Sequence, residues 1–234
     1  MSPSTAADLH TGRESLATRT TLLFEAALAG DAVHVRQADG NRSVLDNHRW
    51  LGCARGADLA LLDRTEGPAL DVGCGPGRLV AGLGRRRFAA LGIDVDPYAV
   101  VMTRATGSLA LRRSVFDPLP AEGRWQTVLL ADGNIGIGGD PHRLLLRIVS
   151  LLGREGRVLV ELAPPGAGIQ AAAIRLEMDH RIGDWFRWAR VSSDAVDGLA
   201  ANAALRVLDR WTAMEESTLG VAVQRWFASL GVAL

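Results

Sequence analysis

Lysine is absent from this chain: all 26 of its basic residues are arginine. That removes the phosphate-loop lysine of nucleotide hydrolases, the Schiff-base lysine of pyridoxal enzymes and the ATP-binding lysine of kinases. Tyr98 is the single tyrosine, and without lysine no Tyr–Lys dehydrogenase pair can be built. Cys53 and Cys74 are the only cysteines. They are too few for a secreted disulfide scaffold, and no His/Cys ladder accompanies them, so no metal is expected. Net charge is missing too, because 26 acidic residues cancel the arginines. The balance argues against nucleic acid or an anionic membrane as a main partner. Long apolar runs are also lacking. Leu144–Leu152 is broken by Arg147 and is too short to span a bilayer. Met1–Gly12 carries Asp8 and His10 and has no apolar core. No secretory signal is read there, and a cytoplasmic location is expected.

What is present is an ordinary globular composition, 234 residues with 48% hydrophobic and 22% charged. Residues 1–20 are polar and Ser/Thr-rich, and a loosely held start is expected. Leu16–Ala29 has helical spacing, and Ala32–Gln37 and Ser43–Leu45 read as two short strands around the turn Asp39-Gly40-Asn41. From Ala69 onward strands and helices alternate. Strands are expected at 69–72, 89–93, 109–115, 125–130 and 157–163, and helices at 78–86, 97–103 and 140–152. That rhythm means a doubly wound parallel sheet with helices on both faces. After Pro164-Pro165-Gly166 the texture changes. Strands at 172–179 and 184–191 precede a helix at 193–204, and closing strands, expected antiparallel, follow at 205–213 and 221–230. The domain reading is an N-terminal helical and hairpin cap over 1–65, then an α/β domain over 66–234 with an insertion at about 166–192.

The informative stretch is Leu70-Asp71-Val72-Gly73-Cys74-Gly75-Pro76-Gly77-Arg78, between a strand and a helix. Glycines there let the backbone turn tightly and let a ligand approach where a Cβ would intrude. A dinucleotide fingerprint would place its third glycine at position 78, which is Arg78. Asp94 ends the next strand, 21 residues after Gly73, where a carboxylate can accept both hydroxyls of a ribose. A nucleoside-containing ligand with no pyrophosphate in the loop fits both features.

This run, followed by Gly92-Ile93-Asp94-Val95-Asp96-Pro97, closely resembles the class I S-adenosylmethionine-dependent methyltransferases, over about residues 66–163. The resemblance implies a Rossmann-like, seven-stranded, mostly parallel sheet with an antiparallel last strand, and S-adenosylmethionine as cofactor. It further implies that Asp71, Gly73, Gly75 and Gly77 hold the methionine part, with Cys74 contributing its backbone. Asp94 would take the ribose, Val95 would pack by the adenine, and Asp117, with Phe116 before it, would meet the adenine amino group. Asp132 and Asn134 would lie at the methionine end, beside the acceptor. The run Asp132-Gly133-Asn134-Ile135 is not the Asn-Pro-Pro-Tyr type of nucleic-acid amino methylases. The expected activity is methyl transfer to a small organic acceptor. The alternatives are a non-catalytic S-adenosylmethionine-binding regulator or partner subunit, and an NAD(P)-dependent oxidoreductase.

Methyl transfer from a sulfonium asks chiefly for alignment. A hydroxyl acceptor also needs a base, for which His48, His142 and Asp132 are the candidates. In the insertion, Phe186 and Trp188 share one strand face and Trp185 and Arg187 the other. This pattern fits either packing of an added hairpin or an aromatic wall of the acceptor pocket. Leu22–Trp50 is the other candidate lid. Arg85-Arg86-Arg87 reads as a solvated helix C-terminus.

Overall fold

The computed structural model describes residues 19–216 and 222–233. The expected helix start at Leu16 and strand start at Val221 lie outside them. In chain order the elements are α1 (19–28), β1 (His34–Gln37), β2 (Arg42–Val44), α2 (Ala57–Leu62), β3 (Ala69–Val72), α3 (Arg78–Arg85), β4 (Ala90–Asp94), α4 (Pro97–Ala105) and β5 (Ala110–Arg112). Then come β6 (Trp125–Leu130), a 3₁₀ turn (Asn134–Gly136), α5 (Pro141–Leu151), β7 (Leu152–Leu162), β8 (Ile169–Met178), β9 (Arg181–Ile182) and β10 (Phe186–Val191). The chain closes with α6 (Val196–Asn202), β11 (Leu205–Glu216) and β12 (Ala222–Val232).

Local chemistry accounts for the helix starts around the sheet. The Asp96 carboxylate accepts the amide protons of Tyr98 and Ala99, and Pro97 presets the first turn of α4. Asp140 accepts the Arg143 amide, with Pro141 opening α5 in the same manner. Helix α3 has no side-chain cap and begins from Gly77 in the left-handed region, φ 84°.

The main sheet has seven strands in the order β11-β12-β7-β6-β3-β4-β5. Strand β12 is antiparallel to both neighbours, β7 and β11, and the other ladders are parallel. This is the mixed sheet that the resemblance implied. Period-two alternation sorts the core into two layers. Leu70, Val72, Val128, Leu130 and Val158 face α5 and α6. Ala69, Leu129, Leu159 and Phe227 face α2 and α3, against Leu61, Leu62, Leu79 and Leu83.

Two boundaries differ from expectation. Strand β5 stops at Arg112 because its ladder to β4 ends where β4 ends, at Asp94. Strand β7 begins at Leu152, directly after α5, with an irregularity in its pairing to β6. Gly156, just before the expected strand start at 157, lies inside β7 at a close approach, since a Cβ there would lie 2.7 Å from the Trp125 carbonyl oxygen.

The N-terminal hairpin and the insertion build a second sheet together, in the order β10-β8-β1-β2 with β9 beside β8. Val35 pairs with Leu176, and Phe186 with Ile174. Helix α1 covers one face through Leu23 and Ala27. This sheet meets the main one at the turn after β6, where Ile137 bridges to Trp188. No helix among the described residues is long and apolar enough to cross a membrane.

Candidate cofactor and acceptor site

Strands β3, β4 and β6 end side by side, so the loops that follow them meet. The loop after β3 is pinned on three sides. The Gly73 and Cys74 amides donate to the Ile93 carbonyl at 2.9 and 3.0 Å. The Gly75 amide donates to Asp94 Oδ2 at 2.9 Å. Asn134 Nδ2 donates to the Val72 and Gly73 carbonyls at 2.8 and 3.0 Å. Asn134 thereby acts as a clamp between the loops after β6 and β3. Gly73 must be glycine beneath it, because a Cβ would lie 2.6 Å from that amide nitrogen. Gly75 is different: at φ +53° a Cβ would meet nothing within 4 Å. The loop is tight against the protein on one side and open at Gly75.

Asp94 is half-buried and doubly held, its Oδ1 accepting the Asp96 amide at 2.9 Å. Burial raises its pKa, opposed by the Asp96 and Gly75 amides. Each oxygen keeps a lone pair for a further donor. Val95, beside it, is 65% exposed. Phe116 is half-buried under the Arg143 guanidinium, 4.5 Å from the ring centre. Asp117 is exposed, and its Oδ2 closes a turn by accepting the Ser114 amide at 3.0 Å. Both backbone groups of Cys74 are used internally, its carbonyl accepting the Gly77 amide. Burial pushes its thiol far above the usual range, so it stays protonated.

Behind the loop lies a feature that the sequence did not announce. Alternation that sends Ala69, Leu159 and Phe227 to the α2/α3 face sends Asp71, Glu161 and Arg225 there too. Arg78 donates to both oxygens of Asp58, at 2.9 Å each, and to Asp132 Oδ2 at 2.6 Å. Arg225 donates to Glu161 Oε1 at 2.8 Å and Glu215 Oε2 at 2.9 Å. It also pairs with Asp58 and Asp132 at 3.4 Å. Arg49, from the segment between β2 and α2, donates to Asp132 Oδ1 at 2.7 Å and reaches Glu215 at 3.5 Å. Three guanidiniums thus share four carboxylates, with one negative charge in excess.

This network revises the expectation for Asp132. Its backbone takes a positive φ of 53°, its amide donates to Glu161 Oε2 at 2.7 Å, and arginines occupy both carboxylate oxygens. Burial alone would raise its pKa, but Arg78, Arg49 and Arg225 outweigh burial and lower it. A carboxylate held in this way is a poor general base. The histidines do not join it. His48 is exposed. His142 is exposed at the start of α5, its Nε2 3.1 Å from the Asn202 carbonyl of α6. Arg78, read from the sequence only as a residue replacing a glycine, joins Asp58 to Asp132 in this arrangement. The one signal available was an arginine opening a helix, against the dipole, ahead of Leu79 and Val80.

Asp71 is 2% exposed, and its Oδ2 has no hydrogen-bond partner. Burial pushes its pKa up to about 7, with Arg78 opposing. Between the ordinary carboxylate value and about 7, the folded chain holds a proton here that the unfolded chain has lost. Stability from this group therefore falls as pH rises through that window. Relative to Asp71→Asn, the protein should lose on the order of 2–3 kcal/mol between pH 5 and pH 8. Urea denaturation across that range checks it, and parallel stability curves for the two proteins would refute it.

No family model and no curated protein matches the sequence. Solved structures do. The chain is similar to an S-adenosylmethionine-dependent methyltransferase from Bacteroides fragilis in complex with S-adenosyl-L-homocysteine, with TM-score 0.72, 18% identity and coverage of 92% of this chain and 94% of that one. It is also similar to the Burkholderia thailandensis 1,6-didemethyltoxoflavin-N1-methyltransferase with bound 1,6-didemethyltoxoflavin and S-adenosylhomocysteine, with TM-score 0.55, 17% identity and coverage of 75% and 74%. A third is the glycopeptide N-methyltransferase MtfA, with TM-score 0.56, 13% identity and coverage of 75% and 88%. The chain has the Rossmann-like fold of the class I S-adenosylmethionine-dependent methyltransferases.

Proposed function

We propose that this chain is a methyltransferase that takes its methyl group from S-adenosylmethionine and gives it to a small organic acceptor. The observation that carries the reading is Asp94 Oδ2 fixed 2.9 Å from the Gly75 amide, beside a glycine whose missing Cβ leaves open space. A nucleoside fits that arrangement, with its ribose hydroxyls donating to the spare lone pairs of Asp94. Val95 and Phe116 flank the place for the adenine, and Gly73, Gly75 and Gly77 the place for the methionine chain. Bound there, the cofactor supplies a methyl on a sulfonium whose departure leaves a neutral thioether.

The chain's own task is to bind, orient and exclude water. The loop is held rigid by Asn134, and Asn134 by the turn after β6. The excess negative charge of the arginine–carboxylate network, reached through Arg78 at the loop's end, favours a cationic ligand over its neutral product. The small-molecule reading agrees with the balanced charge of the chain, and among the neighbours the Burkholderia enzyme has 1,6-didemethyltoxoflavin bound.

Asp94→Ala should weaken S-adenosylhomocysteine binding by about 1.5–3 kcal/mol, the worth of hydrogen bonds to a charged group. Calorimetric titration measures it. Unchanged affinity in a folded variant removes the ribose assignment.

A further inference from the structure

Four half-buried aromatic rings run in a chain across the second sheet, its helix and the segment that leaves it. Phe24 of α1 lies 6.5 Å from Trp50 and 6.3 Å from Phe186, centre to centre. Phe186 meets Trp188 edge-on at 6.3 Å. Phe24, Trp50 and Phe186 pack against the small core of Leu23, Ala27, Val33 and Leu176 without being enclosed by it. Trp185 is not part of this wall: it lies just before β10, under the Arg175 guanidinium at 4.6 Å.

The rings are tied to the cofactor loop at two points. A Cβ on Gly136 would lie 2.7 Å from Trp188 Nε1, and Gly136 belongs to the same 3₁₀ turn as Asn134, which clamps Gly73. Arg49, next to Trp50, holds Asp132 at the start of that turn. Trp188 is half-buried, and its Nε1 has no hydrogen-bond partner among the described residues. A half-buried indole N–H among apolar rings is a donor that a ligand's acceptor atom can satisfy.

We infer that Phe24, Trp50, Phe186 and Trp188 form the acceptor-binding wall, and that the acceptor is a planar aromatic molecule whose oxygen or ring nitrogen accepts from Trp188 Nε1. This deepens the methyltransferase reading and rests on it. Flat rings match such a wall because offset and edge-to-face contacts add about 0.5–1.5 kcal/mol per pair beyond buried area. A saturated ring of equal size gains the area alone.

The test is calorimetric titration of the full chain, loaded with S-adenosylhomocysteine, with 2-naphthol and separately with its saturated counterpart decahydro-2-naphthol. The flat compound should bind at least about tenfold more tightly, the ratio given by roughly 1.4 kcal/mol. Trp188→Phe keeps a ring and removes the donor. It should weaken 2-naphthol about fivefold, within the range of one neutral hydrogen bond, and leave S-adenosylhomocysteine affinity unchanged. Equal affinity for the two compounds, binding of neither, or a Trp188→Phe protein that binds 2-naphthol as well as the parent would overturn the inference while sparing the cofactor reading. Failure of S-adenosylhomocysteine itself to bind would remove both.

Discussion

Arg225→Met is expected to cost the folded chain about 3–5 kcal/mol, the usual penalty for removing one partner from a buried ionic cluster. Arg225 is 4% exposed and touches all four carboxylates of the network: Asp58, Asp132, Glu161 and Glu215. Methionine fills the space without supplying charge. Two guanidiniums would then face four carboxylates, doubling the unbalanced negative charge in a low-dielectric site. The loss should shrink as pH falls toward 4, because carboxylates left unpaired take up protons more readily. Adding Glu161→Gln to Arg225→Met should recover part of it. Urea denaturation of the three proteins at pH 5 and pH 8 measures both effects. A loss under about 1 kcal/mol at both pH values would mean that the network contributes no more than a surface ion pair.

The second large effect is on binding. Gly75→Val should abolish affinity for S-adenosylhomocysteine, by about a thousandfold or more, roughly 4 kcal/mol. Its added Cβ meets no protein atom within 4 Å, so nothing inside the chain is displaced. The backbone there has φ +53°, which costs a residue with a Cβ about 1–2 kcal/mol and a β-branched one somewhat more, a strain the rest of the fold can carry. A folded protein with a filled crevice is therefore the expected product. Gly73→Val is the contrasting case. It collides with Asn134 at 2.6 Å and should unsettle the loop even without ligand. A thermal melt of each variant separates the two: Gly75→Val melts several degrees below the parent, and Gly73→Val, which adds a collision to the strain, much lower. Normal S-adenosylhomocysteine binding by Gly75→Val would show that the loop does not face the cofactor.

These contrasts indicate what a sequence can reveal. The turn through Gly73, Gly75 and Gly77 and its approach to Asp94 were legible because strand, loop, helix and strand follow one another within 26 residues of chain, 69–94, and each constraint is local. The parallel part of the sheet was legible from the same rhythm, and its seven strands with an antiparallel end came from the family resemblance. The role of Arg78 was not, because its partners Asp58 and Asp132 lie 20 and 54 positions away, and Arg225 pairs with Asp58 across 167. Nothing in a hydrophobic pattern distinguishes a buried, paired arginine from a solvated one. The union of β1 with β8 was hidden for the same reason. Val35 and Leu176 alternate correctly in their own strands, yet pairing over that distance follows from tertiary packing. Asp132 was read from its place at a strand end as lying by the cofactor, and as one of three candidate bases; the arginines around it lower its proton affinity.

The most direct test of the whole account sets two cofactors side by side. The purified chain is titrated calorimetrically with S-adenosylhomocysteine and, separately, with NADH. The account predicts saturable one-to-one binding of S-adenosylhomocysteine, weakened in Asp94→Ala, with no heat from NADH. Tight NADH binding, with S-adenosylhomocysteine silent, would contradict it.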